Sequence, residues 1–200
     1  MNKIALSILF LILTVKGFSN ENIQKEFKSK KDIDKVSYFR TLNKEEKAED
    51  ISFFQSEFTI LIKHYSNNYP IKKQLLFALG LINQIQNQNL EAISKFNELL
   101  NNKKYRLSER EKMDIYVAMQ ECYLKLNLYS KVFDINKKIN TLISDGVDYP
   151  LWSYNIQSRL YLQLQQYDKA ISQLKSEINL LYKNPKRDSL IIPSAYNDLG

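Results

Sequence analysis

The sequence predicts an all-α protein built from antiparallel helix pairs. Its 200 residues include only four glycines and four prolines, too few for a β fold that depends on tight turns. Apolar residues recur along most of the chain at steps of three and four, which is typical of amphipathic helices. Between Leu76 and Leu100, two such patterns follow one another across a polar break at 87–89. Two amphipathic helices joined by so short a break are expected to form a hairpin.

The first 19 residues are typical of a secretory signal peptide. Lys3 gives a positive start, residues 4–15 are largely apolar, and Gly17 and Ser19 are small residues suited to signal-peptidase cleavage. As a helix, this apolar run is too short to cross a bilayer. We therefore expect export to the periplasm or to the extracytoplasmic face of the membrane. An uncleaved leader that acts as a membrane anchor is the alternative.

Residues 20–69 predict helices with a less regular pattern. A short helix is expected over 33–39, with Asn43 as the N-cap of the next helix, and an apolar stripe runs from Ile51 to Tyr65. We interpret this region as a capping pair or a degenerate first repeat. The first unit of a repeat array needs such a cap because no earlier unit covers it.

The clearest pattern resembles the tetratricopeptide repeat (TPR) family. Leu76, Leu79 and Gly80, followed by Ala92 and Phe96, stand at the spacings of the family pattern W-x2-L-G-x2-Y and A-x3-F, with Leu76 in place of the tryptophan and Asn83 in place of the tyrosine. The residues 167–174 and 196–200 carry a similar pattern. The positions equivalent to Gly80 are Gln120, Ser158 and Gly200, at intervals of 40, 38 and 42 residues. These intervals exceed the roughly 34 residues of the standard repeat, so extra residues are expected between pairs, at 101–108, 144–148 and 184–192.

The resemblance implies a right-handed solenoid of TPR-like repeats over residues 70–200. The pattern stops at Gly200 on the first helix of a further repeat, which would lack a partner helix and a cap. We therefore expect the chain to be the N-terminal part of a longer protein. Pro70, Pro150 and Pro193 precede the matched positions at similar distances, as expected for proline in the first turn of a helix.

The sequence carries no pattern typical of an enzyme. His64 is the only histidine, Cys122 is the only cysteine, and the four glycines form no phosphate-binding loop. Cys122 lies in an apolar helical pattern and is expected to be a small buried side chain. We predict no catalytic, cofactor-binding or metal site and no cofactor in these 200 residues. A longer parent protein could still carry a histidine kinase.

The formal net charge of +7 is spread along the chain. The densest basic stretch lies at 103–112 and contains no known nucleic-acid-binding motif. A solvated basic surface is therefore expected, without nucleic acid as a partner. Contact with a membrane is expected only through an uncleaved leader or a downstream segment.

The TPR resemblance implies a scaffold that binds a protein or peptide partner in a concave groove lined by the first helices. Phe77 and Leu81 stand at positions where some TPR domains hold a carboxylate with polar side chains, so that specific activity is not expected. An alternative is the sensory N-terminal region of a bacterial signal-transduction protein with a histidine kinase or a helix-turn-helix regulator. By family position, the expected groove residues are Gln74, Gln84, Glu121, Lys125, Trp152, Asn155, Arg159 and Gln163, with Phe77, Leu81, Asp114, Val117, Leu124 and Leu162 beside them.

Overall fold

The structure is a computed structural model that describes residues 21–44, 50–147 and 154–183. All regular secondary structure within these ranges is helical, which confirms the predicted all-α class. The helices are α1 (21–29), α2 (Asp32–Lys44), α3 (Ile51–His64), α4 (Tyr69–Ile85), α5 (Asn89–Asn101), α6 (Glu109–Lys125), α7 (Tyr129–Ser144), α8 (Tyr154–Gln163) and α9 (Tyr167–Lys183), with a 3₁₀ turn at Lys103–Tyr105.

Helices adjacent in sequence pack as pairs: α4 with α5, α6 with α7, and α8 with α9. This pairing was expected from the amphipathic patterns and is confirmed. Contacts divide the chain into two compact units, Met1–Tyr105 and Arg106–Gly200. The boundaries predicted from the sequence, at residues 19 and 69, stay predictions.

The N-terminal unit has an aromatic core. Phe27 of α1 lies edge-on to Phe54 and Phe58 of α3, with ring centroids 5.2 and 5.7 Å apart. Phe39 of α2 packs against the same two rings, and α4 closes the cluster with Leu75, Ala78 and Ile82. Offset and edge-to-face contacts are the favoured geometry for aromatic pairs. This core explains why the less regular pattern of residues 20–69 still specifies packed helices.

The predicted N-cap of α3 was wrong. Asn43 lies within α2, and the side chain of Asp50 instead accepts a hydrogen bond of 3.1 Å from the backbone N–H of Phe53. Asn68 caps α4 in the same way, and Pro70 stands in the first turn of that helix, as predicted. Helix α2 continues past the expected boundary because Leu42 is still buried against the aromatic core.

The same turn joins the two helices of the α4–α5, α6–α7 and α8–α9 pairs. Asn87, Asn127 and Gln165 have left-handed backbones with φ of 59°, 57° and 57°, each seven positions after Gly80 or its equivalent. The residue that follows donates its N–H to the carbonyl five positions earlier, at 2.8, 2.9 and 2.8 Å in the three turns. This is the Schellman motif, which satisfies the free carbonyls at a helix end and reverses the chain.

Gly80 allows α4 and α5 to approach closely. A Cβ atom at this position would lie 2.7 Å from Cζ of Phe96, a separation that would force the ring to move. Both residues are buried. The equivalent pairs are Gln120 with Asn136, which are hydrogen-bonded, and Ser158 with Leu174, which are both buried. The residue on the first helix of each pair is small or polar, and the residue at the equivalent position of the second helix differs from pair to pair.

The extra residues predicted at 101–108 form an ordered connection. The 3₁₀ turn buries Tyr105, whose ring packs edge-on to Tyr69 with a centroid distance of 5.9 Å. Ser108 then begins α6 with a capping box, in which Ser108 and Glu111 each satisfy a backbone N–H of the other. After α7, Gly146 (φ 86°) ends the helix in a left-handed turn.

Several predictions fall outside the described residues: the signal peptide, Pro150, Trp152, Pro193, and the repeat that was expected to open near Gly200. Among the helices that the structure does describe, none is long and apolar enough to span a membrane.

Candidate functional site

The predicted groove residues that the structure describes lie on α4, α6 and α8, the first helix of each pair. Gln74 is exposed and Gln84 half-buried on α4, in the N-terminal unit. In the C-terminal unit, the four predicted residues with described side chains are Glu121 and Lys125 on α6, and Arg159 and Gln163 on α8. Asn155 lies in the first turn of α8, but its side chain and all of Trp152 lie outside the described part of the chain.

Two of the neighbouring positions do not line a surface. Val117 and Leu124 of α6 are fully buried, so the expectation that they face a groove was wrong. Helix α6 packs against both α7 and α8, which leaves it a narrower open face than family positions alone imply. Phe77, Leu81 and Asp114 are half-buried, and Leu162 is exposed.

Glu121 and Arg159 form an ion pair between α6 and α8. Both carboxylate oxygens of Glu121 accept hydrogen bonds from Nη1 of Arg159, at 3.0 and 2.9 Å. The Glu121 side chain is 14% exposed and that of Arg159 is 39% exposed, so Glu121 is the more buried partner of the pair. The pair brings together two residues that the sequence placed in the same site but did not predict to be in contact.

Lys125 and Gln163 extend this surface. Each lies one helical turn after a member of the ion pair, Lys125 on α6 and Gln163 on α8, and each is exposed. We call Glu121, Lys125, Arg159 and Gln163 the α6–α8 face. Its formal charges are one negative and two positive, so it is net positive and rich in hydrogen-bond donors.

A buried amide network lies next to this face, and the sequence analysis missed its role. Oδ1 of Asn136 on α7 accepts hydrogen bonds from the side-chain amides of Gln120 on α6 and Gln157 on α8, the latter at 3.4 Å. Gln120 is fully buried, and its Oε1 has no partner among the described residues. The sequence contains a sign of this network, because Gln120 and Asn136 stand at the positions that Gly80 and Phe96 occupy in the α4–α5 pair. Two amide side chains at facing positions are able to form a hydrogen bond.

Cys122 and His64 lie on α6 and α3. Cys122 is buried, as predicted, and burial raises the pKa of its thiol to about 12. His64 is exposed and contacts the ring of Tyr65, with centroids 4.7 Å apart. Within the described ranges, no three His, Cys, Asp or Glu side chains are close enough together to hold a metal ion.

A cleft lies in the N-terminal unit, at the turn between α3 and α4. It is an open cleft of about 470 Å³, lined by the continuous stretch from His64 to Pro70. Since its walls come from a single turn, it brings together few groups from different helices. The α6–α8 face is therefore the stronger candidate.

Comparison with known proteins gives no match: no family model, no curated protein and no solved structure is significantly similar to this chain.

Proposed function

We propose that this chain is an exported protein–protein interaction module of the TPR type, which binds a protein or peptide segment along the first helices of its repeats. The observation that carries the proposal is the recurrence of one helix hairpin. The α4–α5, α6–α7 and α8–α9 pairs share the same left-handed turn at equivalent positions. Repetition of a hairpin at a nearly constant interval is the basis of solenoid scaffolds.

The α6–α8 face supplies the chemistry for such binding. Arg159, Lys125 and Gln163 present hydrogen-bond donors to solvent on two different helices. Arginine is enriched among the residues that carry most of the binding energy in protein interfaces. A peptide lying across α6 and α8 would contact both helices, and its recognition would depend on side chains held by the repeat packing.

The proposal is tested with a random peptide library displayed on phage and selected against the immobilised protein. Binding of the enriched peptides is then measured by fluorescence anisotropy. A Trp152→Ala, Arg159→Ala double variant is expected to lose binding while its helical circular dichroism stays unchanged. Lys137→Ala, an exposed residue on α7, is the matched control and is expected to bind normally. Failure to enrich any peptide, or equal binding by the double variant, would contradict the proposal.

The sensory region of a larger signalling protein stays an alternative prediction. It is distinguished by reading the coding sequence downstream of Gly200. An apolar run of roughly 20 residues followed by a kinase or DNA-binding module would favour it. The predicted export is tested separately by N-terminal sequencing of the protein recovered outside the cytoplasm, where cleavage after Ser19 is expected.

A further inference from the structure

We propose that Arg159, held by Glu121, binds an acidic side chain of the partner, and that Glu121 is a positioning residue. This inference rests on the proposed function and specifies the chemistry of the bound segment: a peptide with Asp or Glu at the position that meets α8. The sequence predicted Glu121 and Arg159 as groove residues, but it did not predict the contact between them.

Among the described residues, the ion pair occupies only one nitrogen of the guanidinium. Both contacts of Glu121 go to the same nitrogen, Nη1. Within the described part of the chain, Nε and Nη2 of Arg159 make no hydrogen bond. The N–H groups of these two nitrogens point in the same direction, and their spacing matches the two oxygens of a carboxylate.

The two side chains of the ion pair differ in how deeply they are buried. Glu121 is largely covered, whereas more than a third of the Arg159 side chain is exposed. The buried carboxylate therefore anchors the guanidinium and restricts its rotamers before any partner arrives. Such preorganisation lowers the entropy lost on binding, because a long side chain does not have to be ordered again.

The local charge favours an anionic group on the partner. Glu121 and Arg159 cancel formally, and exposed Lys125 one turn along α6 leaves the face with one net positive charge. A monoanionic side chain is attracted to this face. A phosphate group, which carries up to about two negative charges near pH 7, would be attracted to the same face, so the binding experiment has to distinguish the two anions.

A purely structural role for the ion pair makes a different prediction. Glu121 and Arg159 also join α6 to α8, and their contact would persist if the two residues were exchanged. In a double variant that carries Glu121→Arg and Arg159→Glu, the ion pair can form again with its charges reversed. A structural role predicts that stability and peptide binding both return, whereas our inference predicts that only stability returns.

The experiment uses the full 200-residue chain and fluorescein-labelled peptides enriched from the random library. The enriched peptides are expected to share an Asp or Glu, and its replacement by Asn or Gln should weaken binding about tenfold or more. Arg159→Ala should weaken binding by a similar factor and remove the effect of the peptide substitution. Arg159→Lys keeps the charge but loses the fork, so it should also bind more weakly than the wild type.

Glu121→Gln separates positioning from net charge. It makes the face more positive, so attraction alone predicts tighter binding of an acidic peptide. Loss of the anchor predicts weaker binding, by about threefold or more, and this is the result we expect. Helical circular dichroism and the thermal midpoint verify folding of each variant, and Lys137→Ala serves as the surface control.

The outcomes separate this inference from the proposed function. Enriched peptides without an acidic preference, a preference for phosphopeptides, or tight binding by the charge-reversed variant would overturn the inference and leave peptide binding in place. No enrichment of any peptide would overturn both.

Discussion

Replacing Gly80 by alanine tests the packing between α4 and α5. Alanine favours a helix over glycine by about 1 kcal/mol, so a freely exposed site would become more stable. Here the added Cβ would stand 2.7 Å from Cζ of the buried Phe96 ring. Overpacking of this kind costs about 1–3 kcal/mol. The two effects oppose one another, and Gly80→Ala should lower the free energy of unfolding by up to about 2 kcal/mol.

A double-mutant cycle isolates the contact. Phe96→Leu alone should destabilise the protein, because it removes buried ring atoms and leaves a cavity. The Gly80→Ala, Phe96→Leu variant should be more stable than the sum of the single changes by at least about 1 kcal/mol. These free energies are measured by urea unfolding monitored by circular dichroism. The comparison requires that the dependence of the free energy on urea concentration (the m value) is the same for all variants. A Gly80→Ala variant that is about 1 kcal/mol more stable than the wild type would refute the close packing.

Three further experiments test a turn, a helix cap and the buried thiol. Gln165→Gly should raise the free energy of unfolding by about 1 kcal/mol, because the left-handed backbone at φ 57° is strained for glutamine; Lys175→Gly in the interior of α9 should lower it instead. Ser108→Ala should lower it by about 1 kcal/mol through loss of the capping box, whereas exposed Ser94→Ala should have little effect. Since burial raises the pKa of Cys122 to about 12, the folded protein should react slowly with a thiol reagent at pH 8 and completely in denaturant. Rapid labelling of the folded protein would contradict this burial.

Much of the fold could be predicted from the sequence because its signals are local. The apolar period and the polar break at 87–89 predicted the α4–α5 hairpin, and the same register located α6, α7 and α9. The N-cap at Asn43 could not be decided locally. Burial of Leu42 against the aromatic core depends on α1, α3 and α4 together, and this tertiary packing extends α2 past a residue that is often a cap.

The site was predictable only as a set of positions. The spacing of Gly80, Gln120 and Ser158 placed Glu121 and Arg159 on equivalent faces of α6 and α8. Their ion pair depends on how closely two first helices approach, which no spacing within one helix specifies. The same limit explains the errors at Val117 and Leu124, since the burial of a helical stripe depends on how many helices surround it.

The paired substitutions also explain why the repeat pattern weakens along the chain while the hairpin persists. Gly80 fits the ring of Phe96, Gln120 bonds Asn136, and Ser158 is buried with Leu174 on the neighbouring helix. A sequence pattern that considers each position separately does not match at Gln120, because it requires a small residue there. The hairpin requires only that the facing residues of its two helices fit one another. The turn tolerates similar variation, because asparagine and glutamine hold the same left-handed backbone and the hydrogen bonds are made by the main chain. The hairpin geometry is therefore kept although the paired side chains differ. The exposed positions of the first helices can then also differ from one helix pair to the next. That freedom is what allows glutamate on α6 to meet arginine on α8.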